Sequence, residues 1–140
     1  MSVWEDTPRI ADDYQQVTPA IAEELRRVVG EPHVLYDEPT AMEDYAHDEV
    51  AGDEHAHMPE VVVKPASAEE ISRILKLANR ERIPVTPRGA GSGLSCGAVP
   101  VYGGIVLSVE RMNRILEIDR ENMVAVVEPG VVTNDINDAI

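Results

Sequence analysis

The sequence predicts an α+β fold: a small parallel sheet with helices, followed by the start of a second, antiparallel subdomain. Three observations carry this. Val61-Val62-Val63 and Ile105-Val106-Leu107-Ser108-Val109 are unbroken aliphatic runs of the kind that buried strands show. A capped amphipathic helix stands between the first run and a further strand at 83–87, the strand–helix–strand order of a parallel crossover. Two more runs, 115–118 and 123–127, flank a short polar turn as the arms of a hairpin do.

The elements follow in order. Residues 1–17 are polar and acidic without a clear period, and Trp4 is expected to cap an apolar patch or pack on a partner. Thr18-Pro19 reads as N-cap and first helical residue. Ile21, Leu25, Val28 and Val29 recur at helical spacing, Arg26 and Arg27 suit the helix C-terminus, and Gly30 stops a helix over 18–29. His33-Val34-Leu35-Tyr36 predicts a short strand, and 37–60 a long irregular stretch. Ser67-Ala68-Glu69-Glu70 is a capping box, and Ile71, Ile74, Leu75 and Ala78 mark the apolar face of the helix behind it. Two prolines make 83–87 an edge strand or a strand end. Its parallel pairing with 61–63 is expected through a right-handed crossover. Tyr102-Gly103-Gly104 is a turn into the 105–109 strand, and Asp119-Arg120-Glu121-Asn122 joins the hairpin. Glu128-Pro129-Gly130 ends the hairpin, and Thr133 is expected to N-cap a helix containing Ile136, Ala139 and Ile140. The chain stops inside that helix without a C-cap and reads as a fragment, with 1–32 as a helical extension and 33–140 as an incomplete domain.

Composition narrows the function. A chain of 140 residues with 44% hydrophobic and 27% charged side chains is an ordinary globular composition. Only 4% is aromatic and there is no Phe, so the core must be aliphatic. The net charge of −14 is concentrated in residues 1–60, which hold sixteen acidic and three basic side chains. Without a Lys/Arg cluster the chain is a poor partner for nucleic acid or anionic membrane, and the acidic face is read as a solubility feature. The single thiol, Cys96, excludes an internal disulfide and suits a reducing compartment. No basic, apolar leader opens the sequence, and no apolar run approaches the roughly 20 residues of a membrane span. A cytoplasmic location is expected.

The chemistry concentrates in one loop. Between Arg88 and Pro100 stands Gly89-Ala90-Gly91-Ser92-Gly93-Leu94-Ser95-Cys96-Gly97-Ala98, four glycines in nine residues after an apolar strand. Bare glycine lets a ligand approach the backbone, and consecutive N–H groups form a concave nest for an anion, with phosphate the obvious candidate. Arg88 sits at the mouth. A P-loop needs a Lys after its last Gly, yet the only Lys beyond Lys64 is Lys76, in the preceding helix. A dinucleotide fingerprint needs a third Gly packed on a helix. Counted from Gly89 or Gly91 that position holds Leu94 or Cys96, and Pro100 follows in place of a helix.

Arg88 to Ser95, followed by Gly97-Ala98-Val99-Pro100, resembles the pyrophosphate loop of FAD-linked oxidases of the vanillyl-alcohol oxidase / p-cresol methylhydroxylase superfamily. Within it the chain looks most like the FAD-linked 2-hydroxyacid dehydrogenases, the glycolate oxidase catalytic subunit and D-lactate dehydrogenase group. The segments 59–71, 83–89 and 124–131 resemble the family's first strand and capping box, second strand, and second flavin-contacting turn. Tyr45 and Asp48 sit where the family often carries a Tyr and an Asp.

The resemblance implies an FAD-binding domain whose loop amides hold the FAD pyrophosphate. Pro87, Arg88, Gly89, Ala90, Gly91, Ser92, Gly93 and Leu94 would form that loop, extended by Ser95 and Ala98, while Pro129, Gly130 and Val131 would lie toward the adenine or ribose. It also implies oxidation of a small 2-hydroxy acid to the 2-oxo acid. Hydride would pass to the flavin and electrons to an external acceptor, with a homo-oligomer compatible. An FAD oxidase of another substrate class, or a fragment that retains no flavin, stays open. Many relatives have Gly-Gly where this chain has Cys96-Gly97. FAD is expected to be non-covalent, because the superfamily's usual attachment is a His near this loop and no His follows residue 58. No catalytic residue and no metal ligand is assigned. His47, His55 and His57 among Glu43, Asp44, Asp48, Glu49, Asp53 and Glu54 are read as a solvated acidic loop, with His55 and His57 on one side if the segment were a strand.

Overall fold

The structure, a computed structural model, describes residues 13–140; Trp4 lies outside the described residues. Helix α1 spans Pro19–Val29. The Thr18 hydroxyl accepts from the Ile21 amide at 3.3 Å, satisfying one of the orphan donors of the first turn, and Gly30 turns the chain out at φ 92°. Strand β1 is Val34–Tyr36, the short α2 is Pro39–Met42, and β2 is Val61–Val63. Helix α3, Ala68–Glu81, starts at Ser67, whose Oγ accepts from the Glu70 amide at 3.2 Å. The reciprocal arm of the box reaches one residue further back than expected, since Glu70 Oε2 accepts from the Ala66 amide at 2.7 Å. Strands β3 (Val85–Arg88), β4 (Ile105–Ser108), β5 (Ile115–Asp119) and β6 (Val124–Val127) and helix α4 (Thr133–Ala139) complete the chain.

The first four strands form one sheet in the order β1-β2-β4-β3, with β2 and β3 both parallel to β4 and β1 antiparallel to β2. The strand–helix–strand unit is therefore parallel as expected, but its two strands are not neighbours. Strand β4 lies between them. All four of its residues are buried, so it needs a partner on each side. Strand β3 carries Pro87, whose missing N–H is harmless only at an edge. The last two strands pair as the expected antiparallel hairpin.

The sheet separates two aliphatic layers. Val61, Val63, Ile105 and Leu107 face Ile21, Leu25 and Val29 of α1 and Ile74, Leu77 and Ala78 of α3. Val62 and Val106 face the opposite way, onto Met42. Each such side chain contributes roughly 1.5–3 kcal/mol by leaving water.

Three expectations need correction. On α3 the buried stripe is Ile74, Leu77 and Ala78; Leu75 is 46% exposed, because the helix meets the sheet and α1 about one residue round from the face drawn through Leu75. Thr133 is the first helical residue, with Val132 as an N-cap that makes no side-chain bond. The acidic, histidine-bearing stretch is largely solvated as expected, with Glu43, Asp44, His47, Glu49 and Glu54 exposed, but Ala46 and Asp48 within it are buried. His55 ends a short 3-10 turn, Asp53–His55, so His55-Ala56-His57 forms no strand.

Candidate functional site

The parallel strands β2, β3 and β4 end at the same edge of the sheet, where Lys64, Arg88 and Ser108 stand side by side. In open α/β sheets this carboxyl edge is where ligands bind. The glycine loop leaves the sheet here, directly from Arg88.

Arg88 points away from the loop's open side. It is only 8% exposed. Nη1 donates to the His47 carbonyl at 2.6 Å and Nη2 to the Asp44 carbonyl at 2.7 Å. The guanidinium lies 5.6 Å from the Tyr45 ring centroid, within cation–π range. The cation read from sequence as the loop's mouth therefore ties the 44–47 segment beneath the loop. Tyr45 in turn donates to Glu110 Oε2 at 2.9 Å, and Ser108 Oγ donates to the same oxygen at 2.9 Å. Lys64 Nζ reaches Glu110 Oε1 at 2.7 Å. Desolvation pushes the Glu110 carboxyl up, but bonds from Lys64, Tyr45 and Ser108 outweigh it and hold the group below its ordinary value. Desolvation lowers Lys64, and its bonds to Glu110 and Tyr45 more than reverse this. Burial, with Glu110 beside it, raises Tyr45.

Above this polar base the loop is held at few points. The Glu49 amide donates to the Gly93 carbonyl at 3.0 Å, and the Val99 amide to the Cys96 carbonyl at 3.2 Å. Gly91 has φ +73°, and a Cβ there would run into the Arg88 guanidinium. Only glycine fits over the buried arginine. Among the described residues no amide from 89 to 98 donates to a protein group. A Cβ at Gly89 or Gly97 would meet nothing within 4 Å. The loop thus carries a row of backbone donors without a protein acceptor and open space at Gly89 and Gly97, the chemistry an anion nest requires.

The second turn is pinned to the same place. Arg114 Nη2 donates to Glu128 Oε1 at 2.7 Å, and the Arg114 amide to Glu128 Oε2 at 2.8 Å. The Gly130 amide donates to the Met112 carbonyl at 2.8 Å, and a Cβ on Gly130 would overlap the Val109 carbonyl. Loop and turn consequently share a cleft of ≈ 430 Å³, lined by Ala90, Ser92, Pro129, Gly130, Val131 and the following 132–134. That is within the usual range of a small-molecule site. Of the residues singled out from sequence, the cleft brings together Ala90, Ser92, Pro129, Gly130 and Val131. Pro87, Arg88, Gly89, Gly91, Gly93, Leu94, Ser95 and Ala98 shape the loop but do not line this cleft, and the Leu94 side chain is exposed. Val132, Thr133 and Asn134 also line it; in sequence they signal only the start of a helix. Among the described residues no three His, Cys, Asp or Glu side chains converge on a metal-sized site.

An open glycine cradle with unused amides fits a diphosphate, and the class of protein follows. Residues 59–140 match the family described as an FAD binding domain, and the chain belongs to that family, in its vanillyl-alcohol oxidase / p-cresol methylhydroxylase form. FAD is the cofactor of this domain. Among its relatives, a D-lactate dehydrogenase of Anaerostipes hadrus is 42% identical over 123 residues, covering 88% of this chain and 25% of that protein. The glycolate oxidase subunit GlcD of Bacillus subtilis is 40% identical over 124 residues, covering 89% of this chain and 26% of that protein. The crystal structure of a p-cresol methylhydroxylase with substrate bound superimposes with a TM-score of 0.74 at 30% identity, over 85% of this chain and 23% of that one. The chain spans about a quarter of the length of the curated relatives it matches. No described helix is long and apolar enough to cross a membrane.

Proposed function

We propose that this chain supplies the pyrophosphate half of the FAD site in an oxidoreductase that converts a small 2-hydroxy acid, of the glycolate or D-lactate type, to the 2-oxo acid. The observation that carries this is the shared cleft: Ala90 and Ser92 of the glycine loop and 129–131 of the second turn, well separated in sequence, line one space, and the loop's amides have no protein acceptor. Relatives named for D-lactate and glycolate chemistry support the substrate class. Residues 33–140 are read as the N-terminal part of the FAD-binding domain, and 1–32 as an extension whose helix packs on it.

In this reading the amides from Arg88 to Leu94, with Ser95 and Ala98, bind the diphosphate. Ser92 adds a hydroxyl, and Pro129, Gly130 and Val131 border the nucleoside. When bound, FAD accepts two electrons from the substrate and passes them to an external acceptor; the protein positions it and excludes water. Attachment is read as non-covalent, since the His that usually carries it near this loop has no counterpart between residues 58 and 140. The base that removes the substrate proton is assigned to no residue here. A reducing, cytoplasmic setting fits the single thiol.

Gly89→Glu tests the site in the full-length protein. A side chain there enters open space, so the fold is retained, while a carboxylate is placed in the nest. FAD affinity is expected to fall at least tenfold, about 1.4 kcal/mol or more, measured as flavin absorbance per mole of purified protein and by titration of the apoprotein. Unchanged flavin content would sink the assignment.

A further inference from the structure

A buried acceptor beside the glycine loop has no role in the proposed site. Asp48 is 6% exposed. Its Oδ1 accepts from the Val50 amide at 3.1 Å, closing a tight turn, while Oδ2 is buried without a partner. That oxygen faces the glycine loop: a Cβ built on Gly93 would lie 3.5 Å from it. The carbonyl of the same Gly93 already accepts from the Glu49 amide at 3.0 Å. The turn at 48–50 and the middle of the loop are therefore stitched once, and an orphan acceptor stands beside the place for a second stitch. On the loop's side the donors are orphaned too, since no amide from 89 to 98 donates to a protein group among the described residues.

We propose that Asp48 is a positioning residue for the pyrophosphate loop: its Oδ2 takes the Gly93 amide when the loop closes on a diphosphate, withdrawing that one donor from the set offered to the ligand. This rests on the reading of 88–95 as the diphosphate site. A buried acceptor and the amide of the residue beside it, neither of them bonded to protein, are both satisfied if the 92–93 peptide plane turns toward Asp48, a turn that leaves the Gly93 carbonyl, in the next plane, on the Glu49 amide. The ligand has its own reason to favour that rotation. An unpaired carboxylate beside the nest opposes a bound anion, whereas one that accepts an N–H has its charge partly offset by the amide dipole. The remaining loop amides are left for the ligand.

Asp48→Asn in the full-length flavoprotein tests this, with Gly89→Glu as the control on the site itself. The substituted amide keeps an oxygen on the Val50 N–H and places an NH₂ donor where the loop needs an acceptor. FAD affinity is expected to fall about tenfold, with faster FAD release and faster hydrogen exchange across 89–97. The melting temperature of the apoprotein does not fall. A purely structural role would move the melting temperature with the affinity. FAD affinity less than twofold weaker than wild type, a gain included, or a loss of FAD matched by a loss of global stability, overturns the proposal. If Gly89→Glu retains FAD, the diphosphate reading itself has failed; if it loses FAD while Asp48→Asn behaves as wild type, only the positioning role has. Should the variant not accumulate, the wild-type protein decides. In it the Gly93 amide must be more strongly protected from exchange with FAD bound than without, and must stay protected when inorganic pyrophosphate replaces FAD; free exchange at Gly93 in either complex overturns the inference.

Discussion

The four-stranded sheet and the hairpin that follows it are written in the same residues, Val and Ile above all, yet they end in opposite states. Val61, Val62, Val63, Ile105 and Val106 are wholly buried, while Met123 is 92% exposed and Leu116 56%. The difference lies in the neighbours and not in strand propensity. Helices α1 and α3 cover one face of the first sheet and the 39–45 segment the other. Helix α4 buries no residue of its own, and the hairpin's outer face stays open. A two-stranded ribbon is marginal without a packed face. The cleft lies on the seam between the two, with Ala90 and Ser92 on the loop that leaves the sealed sheet and Pro129, Gly130 and Val131 on the turn that leaves the open hairpin. Arg114 and Glu128 close the open end of the hairpin, and the Gly130 amide on the Met112 carbonyl ties the turn back to the segment that follows β4.

The largest expected effect tests this contrast directly. Ile74→Ala is expected to destabilise residues 1–140 by about 2–5 kcal/mol, the usual cost of emptying a sealed core site. Leu116→Ala should stay within about 0.5 kcal/mol, as exposed substitutions do. Urea unfolding measures both, and equal losses would break the distinction. A cost at Leu116 that appears only in the full-length protein would sharpen it, by showing that another part of the polypeptide covers this face.

An intermediate effect comes from the polar base of the sealed sheet. Glu110 is held below its ordinary value of 4.5, so the stability it contributes is complete above that pH and is lost as pH falls through the lowered value. Lys64 is held above 10.5, and its contribution is lost only as pH rises past its raised value. Melting temperature followed between about pH 3 and pH 7 should fall on the acid side. Glu110→Gln should flatten that fall, and an unchanged acid slope in the variant would remove Glu110 from the account.

The smallest effect is at Cys96, which holds φ 57° in the loop. A side chain in this left-handed region costs about 1–2 kcal/mol, and the extra unfolded-state freedom of glycine returns roughly 0.5–1 kcal/mol of that. Cys96→Gly is therefore expected to raise stability by about 1 kcal/mol or less, read as a shift in the urea midpoint at constant slope. A destabilised variant would mean that the thiol packs against something the loop needs.

Local signals were legible where side chains act on their own neighbours. The caps at Thr18 and Ser67, the stop at Gly30 and the turn at 119–122 all stand where the residues place them. The order of strands was not legible. Nothing in a strand–helix–strand pattern says that a later strand will slip between the two, and β4 does. Half of the candidate site was readable, because glycines and the Glu128-Pro129-Gly130 turn carry a side-chain signature. The clamp beneath it was not, since Asp44 and His47 hold Arg88 through main-chain carbonyls that any residue possesses. An acidic, histidine-bearing stretch therefore looked like solvated surface when its backbone was the working part.

Arg88 has one more consequence. Its guanidinium is already occupied by two carbonyls and an aromatic face, and no Lys or Arg lines the cleft among the described residues. On the proposed reading the diphosphate is held by peptide dipoles, which neither titrate nor exchange counter-ions. Cofactor retention should then vary little with ionic strength, in contrast to sites where mobile cations grip a phosphate.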